Sequence, residues 1–308
     1  MPALFDAHCD TAGALFQTGE GLCRNTLHTD LERGGAFVPR GQVYALWQPA
    51  EGLSPAELTA NFWQMFHNLL FEIQKNADKV ALCMTKGDLD AVFTSNRQAA
   101  LISCEGAELF GCDEAALIRA HGMGLHILHL CWNHDNALCG AAMASGAGLT
   151  ERGRNFVRLA GKLGVIIDLS HASDRAAWDV LELGCARVLA SHSNSRAICN
   201  HPRNLPDELL RDIACAGGVV GLNLYPPFLG GRNPGLIAGH ARHILDICGE
   251  HAVCLGCDFD GVDELPDGIR GIEDIPVVFE ALISAGISPD TLEDIFFHNL
   301  KYFLERAL

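Results

Sequence analysis

The chain has 308 residues, 49% of them apolar and 19% charged, which is enough for two domains or one large α/β barrel. A formal net charge of −16 with only 22 Lys and Arg argues against a nucleic-acid surface, because neutralising phosphates takes clustered cations. No run approaches ~18 uninterrupted apolar residues, so no membrane span is predicted. Met1-Pro2-Ala3-Leu4 likewise lacks the basic start and long apolar core of a signal peptide. Thirteen cysteines at irregular spacing fit reduced, buried thiols in a cytoplasmic protein better than a disulfide framework.

Short apolar runs with β-branched residues predict eight strands, at 3–8, 42–47, 99–104, 124–131, 165–170, 187–192, 219–225 and 252–257. The first leads into Asp6-Ala7-His8-Cys9-Asp10, three potential metal ligands at alternate positions, which share one face of a regular strand. A strand end with a capping Asp and a satisfied histidine explains the same five residues, so they do not decide the matter alone. Ser54-Pro55-Ala56-Glu57 is a capping box opening a helix to about residue 76. Thr150 caps a helix whose Phe156, Leu159, Ala160 and Leu163 share a face until Gly164, and Ser173 caps the next, up to Gly184. Further helices are predicted at 206–216, 236–249, 273–285, 289–296 and 298–307. Cys254 and Cys257 have ligand-like spacing, but residues i and i+3 of a strand face opposite sides, which argues against a shared role.

Eight strands, almost all followed by a helix, predict an α/β fold: a (β/α)8 TIM barrel forming a single domain over residues 1–308, with helices closing the C-terminus. A doubly wound sheet would bring a glycine-rich phosphate loop after its first strand, and here that place holds His8 and Asp10. The long connections after the first, fourth and seventh predicted strands are candidate substrate walls.

In such a barrel the reactive residues collect at the C-terminal ends of strands. His8 and Asp10, Glu105, His171, His192 and Asp258 end five separate predicted strands, and this coincidence favours a metal site over isolated structural histidines. Three histidines and two carboxylates exceed one tetrahedral ion and favour two divalent metals, with Glu105 as the natural bridge. Asp258, across the rim, is placed to take a proton from a metal-activated water and pass it to a leaving amine. Asp6 is the expected support of the ligand pair, and Asp260, on the same rim as Asp258, either a supporting partner of the site or a hydrogen-bonder within its loop. Tyr225, ending the seventh strand, is a candidate substrate contact, with a core tyrosine as the alternative. Among the other histidines, His121 and His126 are expected to be packed, and His240, His243 and His298 to lie on solvated helix faces.

Taken together, Asp-x-His-x-Asp, the Glu-Gly after the third strand, Asp168-Leu169-Ser170-His171, Ser191-His192-Ser193 running on to Arg203-Asn204-Leu205-Pro206-Asp207, and Gly256-Cys257-Asp258-Phe259-Asp260-Gly261 resemble the membrane (renal) dipeptidases of the amidohydrolase superfamily, soluble bacterial members most closely. The resemblance implies two zinc ions, one on His8 and Asp10 and one on His171 and His192, with Glu105 bridging. It implies a dipeptide substrate, tolerance of a C-terminal D-residue, a possible homodimer, and Arg203 as receiver of the substrate carboxylate. Without it, Arg203 would pass for a surface or capping arginine. One departure stands out: where animal members carry a histidine that contacts the tetrahedral intermediate, this chain has Trp132. The substrate-side role then falls to metal alone, or to His129 or His134, His129 also fitting a barrel-lining position. Two other readings keep the same residues: a metal-dependent hydrolase of N-acyl amino acids, lactones or phosphoesters, and a metal-stabilised binding protein without catalysis.

Overall fold

The computed structural model describes residues 3–185 and 187–308, and nine parallel strands form its sheet. They are β1 (Leu4–Cys9), β2 (Arg40–Leu46), β3 (Val80–Leu82), β4 (Gln98–Glu105), β5 (Leu125–His129), β6 (Ile166–Asp168), β7 (Val188–Leu189), β8 (Val220–Leu222) and β9 (Val253–Leu255). Eight run in the order β7-β6-β5-β4-β2-β1-β9-β8, and a parallel bridge from Ala190 to Val220 brings the two ends together into a nearly closed barrel. All eight predicted strands are present. The unpredicted ninth, β3, is three residues long and pairs with the first half of β4, whose second half pairs with β5.

The helix starts follow local chemistry. Ser54 and Glu57 form the reciprocal capping box, with Ser54 N donating to Glu57 Oε2 at 2.8 Å, and the helix runs over Pro55–Lys75. Thr150 and Ser173 cap Glu151–Leu163 and Asp174–Glu182 as predicted. The helix expected at 289–296 is Pro289–Glu293, continuing through a π-helical turn into Asn299–Ala307. Helices Thr11–Thr18, Lys86–Thr94 and Glu114–Gly122 lie outside the sequence expectation.

Alternation along the strands splits the apolar residues into two clusters. Leu4, Tyr44, Ile102, Leu128 and Ile167 pack with the helices, while Phe5, Val43, Leu101, Ile127, Ile166 and Leu189 fill the barrel. Leu300, Phe303 and Leu304 of the last helix join this inner cluster and stopper the barrel at the end where the strands begin. The opposite rim stays free for polar side chains.

Two backbone features shape that rim. Asp6 pairs opposite Gln42 but Cys9 opposite Tyr44, so β1 holds one extra residue, a bulge, between them. Asp6, His8 and Asp10 therefore do not share a face as regular alternation predicts. At the β7–β8–β9 junction, a Cβ on either Gly221 or Gly256 would sit 1.7 Å from the Ser191 carbonyl oxygen, so only glycine lets the Ser191–His192 backbone in this close.

Candidate metal centre

Glu105, the last residue of β4, stands between two groups of side chains. One carboxylate oxygen, Oε2, is 3.2 Å from His8 Nε2, which is itself 3.3 Å from Asp10 Oδ2. The other, Oε1, is 2.6 Å from His171 Nε2, and that nitrogen is 2.9 Å from His192 Nε2. Asp258 Oδ1 completes the first group at 3.9 Å from His8 Nε2. All six residues are buried, none more than 7% exposed. The bulge in β1 aims His8 and Asp10 at this centre while Asp6 turns aside, accepting from Cys257 N at 2.8 Å and from Gln42 Nε2 at 3.1 Å. Asp260 is held away from the centre by Thr11 Oγ1 and His28 N, both at 2.6 Å. His171, Asp258 and Asp260 all have positive φ, an unusual backbone for residues other than glycine that the surrounding packing has to sustain.

The electrostatics test whether this donor set suits a cation. Burial, with Arg203 nearby, lowers His171 to about 3, and burial with His8 and Arg203 holds His192 well below the ordinary histidine value. Both rings are therefore neutral. His171 Nδ1 faces Asn133 Oδ1 at 2.8 Å and must donate to it, which leaves Nε2 as a bare lone pair aimed at the Glu105 carboxylate and at His192. The contact with the Glu105 carboxylate is repulsive without a shared positive charge. Burial and the Glu105 charge push Asp10 well above the usual carboxylate range, and Asp10 Oδ1 has no hydrogen-bond partner. Burial opposes charge on His8 too, yet Glu105 and Asp10 raise it well above its ordinary value, while the His8 charge overcomes burial to hold Glu105 well below its own. Crowded carboxylates, bare imidazole nitrogens and one orphaned oxygen fit divalent cations.

Several supporting residues escaped the sequence reading. Asn133 fixes the His171 ring, and Asn223, just beyond β8, donates to Asp258 Oδ2 at 2.8 Å. Ser191 Oγ lies 2.8 Å from His192 Nδ1. Polar residues just past strand ends were the available signal, and Asn223 satisfied it. His129 requires a correction as a substrate contact: it is fully buried, 2.9 Å from Asp168 Oδ2 through Nε2 and 3.2 Å from the Cys104 carbonyl through Nδ1, and does not line the cleft. Asp168 falls to about 2, His129 outweighing its burial. His240 is also corrected, being fully buried rather than solvated, and receives Ser195 N at 3.2 Å.

Above the centre opens a cleft of about 290 Å³ whose wall includes Trp47, Trp132, Asn133, Arg203, Tyr225 and Phe228. Arg203, Trp132 and Tyr225 thus line one cleft, whereas His134 is exposed. Arg203 is 3% exposed, with its Cζ 5.5 Å from the Phe228 ring centroid and its Nε and Nη2 without partners.

A parallel barrel with buried histidines and carboxylates gathered at its C-terminal rim is the setting of a metal-dependent enzyme. The sequence model of the membrane dipeptidase family, peptidase family M19, matches residues 2–306, and the chain belongs to that family of metallo-dipeptidases. It is 29% identical over 292 residues to dipeptidase verJ of Clonostachys rogersoniana, covering 89% of this chain and 74% of that one. An uncharacterised dipeptidase of Schizosaccharomyces pombe is 31% identical over 216 residues, 68% of this chain, which spans about half, 53%, of that protein. Among solved structures, a metallopeptidase from Rhodobacter sphaeroides, liganded with a phosphinate mimic of L-Ala-D-Ala, superposes with a TM-score of 0.91 at 26% identity, covering 100% of this chain and 99% of that one.

Proposed function

We propose that this chain is a zinc-dependent dipeptidase of the cytoplasm that hydrolyses free dipeptides, including those with a C-terminal D-residue, as one domain over residues 1–308. The observation that carries the reading is Arg203. A permanently charged guanidinium, 3% exposed and with two nitrogens unpartnered on the wall of the cleft, calls for an anion, and a planar fork suits a carboxylate. The Rhodobacter sphaeroides protein with its L-Ala-D-Ala mimic supports the same choice of substrate.

In this reading His8 and Asp10 would hold one ion and His171 and His192 a second, with Glu105 common to both. Ions held there would supply Lewis-acid chemistry, activating water and polarising the amide carbonyl at neutral pH. Arg203 binds the substrate carboxylate and thereby sets the scissile amide over the centre. Trp47, Trp132, Tyr225 and Phe228 exclude water around it. Asp258, raised by burial and by the Glu105 charge and anchored by Asn223, takes the proton of the attacking water and returns it to the leaving amine. Trp132 leaves no imidazole at the position of the family's intermediate-contacting histidine.

Replacing Arg203 with Ala should lower kcat/KM for Ala-Ala roughly 10- to 150-fold, the worth of a charge-assisted hydrogen bond, with metal content retained. The same change should leave residual hydrolysis of Ala-Ala amide, which lacks the carboxylate, unaltered. Undiminished turnover of free dipeptides by that variant would overturn the assignment.

A further inference from the structure

Apart from the buried carboxylates and histidines of the metal centre, the cleft wall carries two charged side chains, Arg203 and Asp263. They have opposite signs and very different settings. Arg203 is buried at the inner end, whereas Asp263 is exposed at the mouth and forms no ion pair among the described residues. Glu264 next to it is already engaged by Arg232, so the free carboxylate of this rim belongs to Asp263.

A chain of contacts joins the two charges along one wall. The Arg203 guanidinium lies over the Phe228 ring, the Phe228 and Tyr225 ring centroids are 5.0 Å apart, and Tyr225 and Asp263 line the same cleft, close enough that burial and the Asp263 charge together raise the Tyr225 hydroxyl. Trp47 and Trp132, with centroids 5.0 Å apart, form a separate aromatic pair, and Trp132 packs toward His171. If Arg203 holds the free carboxylate of a dipeptide, the C-terminal residue extends along the Phe228–Tyr225 wall, and the N-terminal residue lies on the side of the two tryptophans.

We infer that Asp263 selects the leaving residue: the enzyme prefers dipeptides whose C-terminal side chain is cationic, its ammonium or guanidinium group meeting Asp263 at the end of an aromatic wall that packs the aliphatic stem. This rests on the dipeptidase reading above. Lysine and arginine side chains suit such a wall, because their methylenes bury against apolar surface while the charged end stays in water. The pairing is solvated and therefore modest, and it weakens as salt shortens the reach of the charge.

The test compares kcat/KM for Ala-Lys with Ala-norleucine, which differs by the ammonium group, and for Lys-Ala with norleucine-Ala, each with the lysine or norleucine in both configurations. For the metal-loaded enzyme the first ratio should be about twofold to fivefold, falling toward one at 0.5 M NaCl, and the second about one. Asp263→Asn should bring the first ratio to about one and leave the second unchanged, and Asp263→Lys should invert the first. An equal rate for Ala-Lys and Ala-norleucine in the native enzyme overturns the inference while leaving the dipeptidase reading intact. A uniform fall for all four substrates in Asp263→Asn also overturns it, assigning Asp263 to the substrate's α-ammonium. Absence of turnover for every dipeptide removes both readings.

Discussion

His126 lies on β5 between Leu125 and Ile127, buried, its ring centroid 5.2 Å from that of His121 and its Nε2 without a hydrogen-bond partner. Burial, reinforced by His121, lowers it to about 4. In the unfolded chain it titrates near 6.5, so between these values the unfolded state binds the extra proton. Its contribution is thus fully present above about pH 6.5 and is lost as pH falls toward 4, with a slope of up to about 1.4 kcal/mol per pH unit. Urea unfolding of the native protein and of His126→Gln at several pH values in this window should show the steeper acid loss in the native protein. Parallel curves would mean that His126 is not the titrating group. The sequence announces the packing of such a residue through its apolar neighbours, but gives no sign of the missing partner. The same contrast runs through the site. His8, Asp10, Glu105, His171 and His192 were legible because each lies at or just beyond the end of a strand, whereas the burial of Arg203 and His240 depends on what distant segments place over them.

At the scale of elements, strand order and most helix caps follow from local chemistry, and the failures have local causes. The helix Lys86–Thr94 opens on a capping box of Thr85 with Asp88, a shorter acid than the usual Glu, and Thr11–Thr18 begins immediately after β1 with no side-chain cap to mark it. β3 has only three residues, too few for a period to show. The bulge in β1 is invisible for another reason: strand register is a property of the pair, and only the offset against β2 reveals the extra residue. Gly221 and Gly256 are legible as glycines but not in purpose, which is to admit the Ser191–His192 backbone at the junction that closes the barrel. Gly256→Ala would place a methyl group against the Ser191 carbonyl, where backbone cannot yield as a side chain would. We expect a loss of about 1–3 kcal/mol in urea unfolding together with reduced metal content in the purified protein, because displacing Ser191 displaces His192. Native stability with full metal content would show that the junction tolerates the methyl group.

For the whole molecule, the metal centre couples barrel closure to charge. His8 and Asp10 come from β1 and its end, Glu105 from β4, and His171, His192 and Asp258 from the segments after β6, β7 and β9. The centre therefore ties together strands distributed around the barrel, including the β7–β8 seam that is closed by a single bridge. Within the fold, burial and mutual repulsion raise Asp10 and Asp258, and His171 and His192 turn neutral nitrogens toward one another. Unloaded, the same residues that make the site push against each other; loaded, they share positive charge, and the folded state gains whatever binding free energy the unfolded chain cannot match. At a free-metal concentration about 100 times the dissociation constant, that gain is about 2.7 kcal/mol. For a chain of this size it corresponds to a rise in Tm of several degrees. Differential scanning calorimetry of protein treated with a chelator should show Tm lowered by that amount and restored by added Zn²⁺. Glu105→Ala, which removes the carboxylate common to both halves, should start at the low value and gain little from the metal. An identical Tm with and without metal, under conditions where elemental analysis records its loss, would mean that the six buried side chains satisfy one another without an ion and that the centre does not brace the seam.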